Sequence, residues 1–165
     1  MVVGYGDLAS VLPESDLLFF ASGVSNSQET RESEYQREVD LLLEQPRDAH
    51  IVYFGSLAVF YSDTRYTTHK RYMEALVEQE FPTHTIFRIG NIEFGSNPNT
   101  IVNFFRRQIR DGVEPEVQDV YRYLVSQHEF LHWINLIPYW SCEMNVPGRM
   151  IKVQRIVDEI KEGKL

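Results

Sequence analysis

Tyr66 and Lys70 stand four residues apart in Tyr66-Thr67-Thr68-His69-Lys70. On a helix that spacing stacks the two side chains on one face. An ammonium beside a phenol favours the phenolate and so lowers the tyrosine pKa toward neutrality. Ser56 closes the apolar run Ile51-Val52-Tyr53-Phe54-Gly55-Ser56, which reads as a strand. A hydroxyl at that strand end would hold a carbonyl or alcohol oxygen beside the phenol. Together the three groups would give and take one proton during a redox step at a carbon atom. The same spacing is also that of an ordinary solvated i, i+4 pair, so the surroundings decide.

Those surroundings begin with Val2-Val3-Gly4-Tyr5-Gly6-Asp7-Leu8-Ala9. A short β-branched run followed by Gly-x-Gly-x-x-Ala is the minimal form of a dinucleotide fingerprint. Gly4 would make the tight turn, Gly6 would let the backbone approach a pyrophosphate, and Ala9 would allow close helix–strand packing. A helix N-terminus following it would offer unpaired N–H groups to phosphate. The strand is short and Pro13 cuts the helix off, so a plain glycine-rich turn is the alternative. Asp16–Ala21 then reads as a buried strand of parallel type. The small-residue loop Ser22-Gly23-Val24-Ser25-Asn26-Ser27 suits a flat cofactor or a phosphate, or simply connects strand to helix.

The elements that must position these groups follow in a regular alternation. Ser33–Glu44 has the pattern of an amphipathic helix with Tyr35, Val39, Leu42 and Leu43 inward and a Ser33/Gln36 capping box. Tyr72, Met73, Leu76 and Val77 continue the helix begun at Tyr66, and Pro82 stops it. Thr85–Asn91 is the next strand. Three strand-then-helix units argue a parallel α/β sheet with right-handed crossovers. Ligands of such sheets bind at the carboxyl ends of the strands, where Gly4, Ala21, Ser56 and Asn91 would gather.

Bulk properties set limits. At 165 residues, 43% hydrophobic and 24% charged, the chain has the makings of one globular domain with a sizeable core. A formal net charge of −8 argues against nucleic acid and anionic membrane surfaces as partners. The single cysteine, Cys142, allows no internal disulfide, and no Cys/His cluster has zinc spacing, so no metal is expected. No apolar run approaches membrane-spanning length and no basic leader precedes one, which makes cytoplasm the expected location.

The order of these motifs resembles the extended short-chain dehydrogenase/reductase superfamily, in its NAD-dependent epimerase/dehydratase branch. Gly4-x-Gly6-x-x-Ala9 is similar to its glycine-rich turn, and Phe19-Phe20-Ala21-Ser22-Gly23 to the strand and turn flanking the cofactor. Phe54–Phe60 resembles the strand with the catalytic Ser or Thr. Tyr66-x-x-x-Lys70 resembles the catalytic pair, Glu74 the acidic position after it, and Arg88-x-x-Asn91-x-x-x-Gly95 the turn toward substrate. The resemblance implies NAD or NADP as cofactor, with Gly4, Gly6, Ala9, Ala21, Ser22, Tyr66 and Lys70 around it. It implies Tyr66 as acid/base, Lys70 as its tuner and ribose holder, and Ser56 as the group that orients a nucleotide-linked sugar. Members of the superfamily are roughly twice this length. Here the fingerprint runs almost directly into the fourth strand of their order, so the residue that selects NAD from NADP is missing. Gly6-Asp7-Leu8 also reads as the end of the family's third strand, with the fingerprint absent.

Beyond Gly95 the pattern thins. Thr100 would cap a helix carrying Phe104, Phe105 and Ile109, whose Arg106, Arg107 and Arg110 either meet a substrate phosphate or, as is more usual, form a solvated face. Arg122-Tyr123-Leu124-Val125 resembles the strand whose Arg contacts nucleotide-sugar phosphates, which with Asn91 makes a substrate set. Ser126 and Glu129 form a capping box for a helix carrying Phe130, Leu131 and Ile134. His128 and His132 lack a third ligand, and Ile151–Lys161 has the pattern of a last amphipathic helix. The expected architecture is a reduced Rossmann-like parallel sheet with flanking helices, cofactor core over 1–95, and a small, mostly helical substrate lobe over 96–165. A first strand at the sheet edge would need cover, which a homodimer supplies. The alternative to an enzyme is a binding or assembly module that keeps the fold without full dinucleotide binding.

Overall fold

The computed structural model describes all 165 residues. In chain order its elements are Val2–Val3 (β1), Leu18–Phe20 (β2), Glu32–Leu43 (α1), Ile51–Ser56 (β3), Arg65–Glu80 (α2), His84–Ile89 (β4) and Asn91–Ile92 (β5). Ile101–Arg110 (α3), Tyr121–Val125 (β6), Gln127–Ile134 (α4), Cys142–Val146 (β7), Arg149–Lys152 (β8) and Val153–Lys161 (α5) complete it. Five strands form one parallel sheet in the order β1-β2-β3-β4-β7, and β5, β6 and β8 form a second, small sheet. The architecture is a Rossmann-like α/β fold.

The central strands are apolar along their whole length because both of their faces are covered. Leu18, Phe20, Ile51, Tyr53 and Ile86 point to one side, where Leu42 of α1 and Met73, Val77 and Phe81 of α2 and its C-cap meet them. Phe19, Val52, Phe54 and Phe87 point to the other, against Val125 and against Phe130 and Ile134 of α4. Each such side chain contributes about 1.5–3 kcal/mol through its removal from water. Truncating Phe19 or Phe20, both fully buried, would cost about 3–5 kcal/mol.

Several local expectations are corrected. The glycine-rich turn is followed by a single 3-10 turn, Ala9–Val11, with no α-helix. Only six residues separate that turn from β2, and Pro13 lies among them. Helix α1 has no Ser33/Gln36 box: it starts one residue earlier, and Glu29 satisfies the amides of Thr30 and Arg31 in front of it. Leu43 is exposed, and Glu38 is buried beside Tyr35 and Leu42 in its place. On α3 Val102 and Phe105 face the core and Phe104 is exposed. Ile151 and Lys152 pair with Arg122 and Tyr121 in β8, so the last helix begins at Val153. The region after Gly95 therefore holds strands as well as helices, and β7 returns to the main sheet beside β4.

Thr64 and Thr67 cap α2 reciprocally, each hydroxyl taking the other residue's backbone N–H. This fixes the helix start at Arg65, one residue before Tyr66. Register places Ser56 beside Ile89 at the carboxyl ends of β3 and β4, and Phe20 beside Tyr53.

Candidate active site

The carboxyl ends of β2, β3 and β4 open into a cleft of about 840 Å³. Gly6, Ala21, Ser22, Ser56, Tyr66, Lys70, Asn91 and Arg122 all line it. Gly4 and Ala9 stand outside this lining. Gly4 has a φ of +129°, and a Cβ there would overlap the Ala21 carbonyl, so its conformation serves the packing of the turn on the strand end. Ala9 opens the 3-10 turn behind it.

Tyr66 is nearly buried and packs with Val24 and Tyr35. The Lys70 ammonium lies 5.7 Å from the centre of its ring. That ammonium does not stand free beside the phenol, as the pair alone suggested. It donates to Glu38 Oε1 at 3.1 Å and to the Tyr53 hydroxyl at 3.2 Å. Glu38 lies fully inside the protein and also accepts from Tyr53, from His69 and from the Val24 amide. Burial alone would raise the Glu38 pKa, but the charge of Lys70 and these hydrogen bonds hold it below the usual carboxylate range. Burial pushes Lys70 down, and the carboxylate outweighs it, so the amine stays charged. Burial and the same carboxylate push the Tyr53 phenol well up, keeping it a neutral donor.

Ser56 ends β3 and caps the short turn Leu57–Phe60, its Oγ accepting from the Ala58 amide at 3.2 Å. Below it a second ion cluster braces the sheet. Arg88 of β4 forks onto Glu74 of α2 at 2.9 and 2.7 Å and reaches Glu143 of β7 at 2.8 Å. Gly55 makes room for this pair, since a Cβ there would lie 2.8 Å from Glu74 Oε1. On the far wall Asn91 donates to the Tyr123 carbonyl, and Arg122 donates only to the Tyr121 carbonyl, leaving its remaining guanidinium N–H groups for the cleft. Asp7, in the glycine-rich turn, accepts from the amides of Ser96 and Asn97, both at 2.9 Å, and so ties the turn to the loop after β5. His128 and His132 lie on α4, and both are exposed.

Sequence reasoning missed Glu38, Tyr53 and Asp7. Glu38 had a signal: it sits three residues after Tyr35 and four before Leu42, in line with the buried stripe of α1. Tyr53 had none, because a strand buried on both faces accepts a tyrosine as readily as a phenylalanine.

No protein-family model matches this chain, and no curated protein does. Solved structures do. The Bordetella bronchiseptica enzyme WbmG, in complex with NAD and UDP, superposes with a TM-score of 0.69 at 11% identity, over 90% of this chain and 56% of that one. A Thermus thermophilus UDP-glucose 4-epimerase in complex with NAD gives 0.66 at 13% identity, over 90% and 62%. A UDP-N-acetylglucosamine 4-epimerase from Methanobrevibacter ruminantium M1, in complex with UDP-N-acetylmuramic acid, gives 0.64 at 16%, over 93% and 62%. The fold is that of these enzymes. The chain spans little more than half of their lengths, and at these identities the likeness is one of architecture. In this lining Ala21 and Ser22 are short and a Cβ on Gly6 would meet open space, so the wall formed by the glycine-rich turn and the loop after β2 leaves room for a flat or extended ligand.

Proposed function

We propose that this protein is an NAD(P)-dependent oxidoreductase or epimerase acting on a nucleotide-linked sugar through Ser56, Tyr66 and Lys70. One observation supports this above the others: those three residues share a single cleft with Asn91 and Arg122, at the carboxyl ends of parallel strands. When bound, the nicotinamide supplies the hydride acceptor or donor. The chain's own part is proton transfer and placement. Ser56 orients the sugar oxygen with the hydroxyl that caps the Leu57 turn. Tyr66 takes or returns the hydroxyl proton, and Lys70 holds the ribose side of the site. Arg122 meets a substrate phosphate with its unpaired N–H groups, and Asn91 orients the sugar. Gly6, Ala21 and Ser22 bound the cofactor side.

A non-catalytic binding module is the second reading. It is favoured by Asp7, a carboxylate in the turn that a pyrophosphate would approach, and by the absence of an α-helix behind that turn. We further propose a cytoplasmic location, and a homodimer, the latter because β1 is the edge of the sheet and its outer backbone groups are unpaired within it. No helix is long and apolar enough to cross a membrane.

Fluorescence titration with NADH and NADPH separates the two readings. Binding of either below about 1 mM supports the enzyme, and no binding of either leaves the module. A panel of nucleotide sugars, titrated in the presence of the dinucleotide that binds, then identifies the substrate.

A further inference from the structure

Glu38 takes a place on α1 that its pattern keeps for apolar residues, between Tyr35 and Leu42 on the buried face. Both of its oxygens are fully used. Oε1 accepts from the Tyr53 hydroxyl at 2.7 Å and from Lys70 at 3.1 Å. Oε2 accepts from the Val24 amide at 2.8 Å and lies 3.0 Å from His69 Nε2. Val24 belongs to the loop after β2, one wall of the cleft, and Lys70 belongs to α2, another wall. Gly23 presses the loop backbone flush onto the ion pair: a Cβ there would lie 2.7 Å from Lys70 Nζ and 2.8 Å from Glu38 Oε1. One carboxylate thus holds together two walls of the cleft.

We propose that Glu38 is a positioning residue for this cleft. It sets where the Lys70 ammonium and the Gly23–Val24 backbone stand toward the ribose–nicotinamide end of a bound dinucleotide. The identity of that ligand rests on the function proposed above; the hold on Lys70 does not. A glutamine has one acceptor oxygen where Glu38 has two, so Glu38→Gln strands either the Lys70–Tyr53 side or the Val24–His69 side.

Two measurements on the full chain test this. Of the four lysines only Lys70 is buried, so lysine labelled with ¹⁵N should show one slowly exchanging side-chain ammonium at neutral pH. That signal should be absent from Lys70→Arg and lost or displaced in Glu38→Gln. A wild-type protein without it, or a Glu38→Gln protein with it unmoved, overturns the proposal. In NADH and NADPH titrations well below the melting temperature, Glu38→Gln should weaken binding by about tenfold or more. Gly23→Ala, which keeps every charge, should weaken it comparably. Glu32→Gln, which breaks an exposed pair between α1 and Arg65 of α2, should leave it unchanged. A purely structural Glu38 would lower the melting temperature and leave affinity within about twofold, and that result overturns the proposal. Where Glu38→Gln fails to fold, Gly23→Ala decides by the same criterion. If the wild type binds neither dinucleotide, the proposed function fails, and the ammonium signal alone decides whether Glu38 fixes Lys70.

Discussion

Helix α2 feeds two buried ion clusters that differ in how their geometry is fixed. Lys70 enters one, with Glu38, Tyr53 and His69, and Glu74, one turn later, enters the other, with Arg88 and Glu143. The Arg88 guanidinium is planar and meets Glu74 with two parallel bonds, so the pair defines its own direction. Its second carboxylate partner, Glu143, is half exposed, so water relieves part of the burial. Lys70 is a point charge on a flexible stem, and its direction comes only from what surrounds it. A fully buried carboxylate and a phenol supply that direction, at the wall of the cleft. The Arg88 cluster ties α2 to β4 and β7. The Lys70 cluster ties α2 to α1, β3 and a loop that a ligand would touch.

The sharpest way to break this contrast is at the neighbouring phenol. Tyr66→Phe should reduce turnover by about 10²–10⁴-fold, the usual worth of a positioned acid or base, with NADH affinity and melting temperature nearly unchanged. Steady-state kinetics on the substrate found by titration reads it, and surviving activity removes Tyr66 from the chemistry. Next in size is removal of the cations. Lys70→Met leaves Glu38 buried without its charge partner and should cost about 3–5 kcal/mol, which lowers the melting temperature by about 10 °C. Arg88→Met should cost less, about 2–3 kcal/mol, because Glu143 turns to water once released and Glu74, unlike Glu38, keeps some contact with solvent. Thermal unfolding by circular dichroism ranks the two, and the reverse order would put the self-sufficient cluster at the wrong end of the helix.

The pH dependence sharpens the same point. Burial opposes the Glu38 charge, but Lys70 wins, so the folded pKa lies below the ordinary 4.5. Stability from this group is therefore present above pH 4.5 and is lost as pH falls through the lower folded value. In Lys70→Met a main cause that outweighs burial is gone, so the folded pKa of Glu38 moves up from its wild-type position. That variant should therefore have less stability to lose as pH falls below 4.5 than the wild type has. Denaturant midpoints between about pH 3 and 8 compare the two slopes.

Much of the sheet was legible because strands buried on both faces leave an apolar run that little else produces. Leu18–Phe20, Ile51–Ser56 and Thr85–Ile89 announced themselves in that way. Of Gly4, Ala21, Ser56 and Asn91, expected together from their places at strand ends, the last three line one cleft and Gly4 stands outside it. What stayed hidden depends on partners distant in the chain. Glu38 reads as one more acid in a run of Arg and Glu until Tyr53 and Lys70, 15 and 32 residues away, fold against it. The strands Cys142–Val146 and Arg149–Lys152 escaped for a related reason. They carry Glu143, Asn145 and Arg149, so no long apolar run marks them, and only the edge of β4 and the turn at Gly148 place them. The glycine-rich turn misled in the opposite direction, since its residue types fit a helix start that the short connection to β2 could not accommodate.

The smallest effect tests where the site's precision comes from. Thr64 and Thr67 close the first turn of α2 around Tyr66, and Thr64→Ala should cost about 1 kcal/mol, or about 3 °C in melting temperature. Turnover and NADH affinity should stay within about twofold. The reason is that Lys70 takes its direction from Glu38 and Tyr53, and Tyr66 is packed between Val24 and Tyr35; none of these contacts runs through the cap. If kinetics instead fall along with the lost cap, the first turn of the helix aims the Tyr–Lys pair by itself. The buried carboxylate would then be a stabilising feature like the Arg88 cluster, and the two regions would no longer differ in kind.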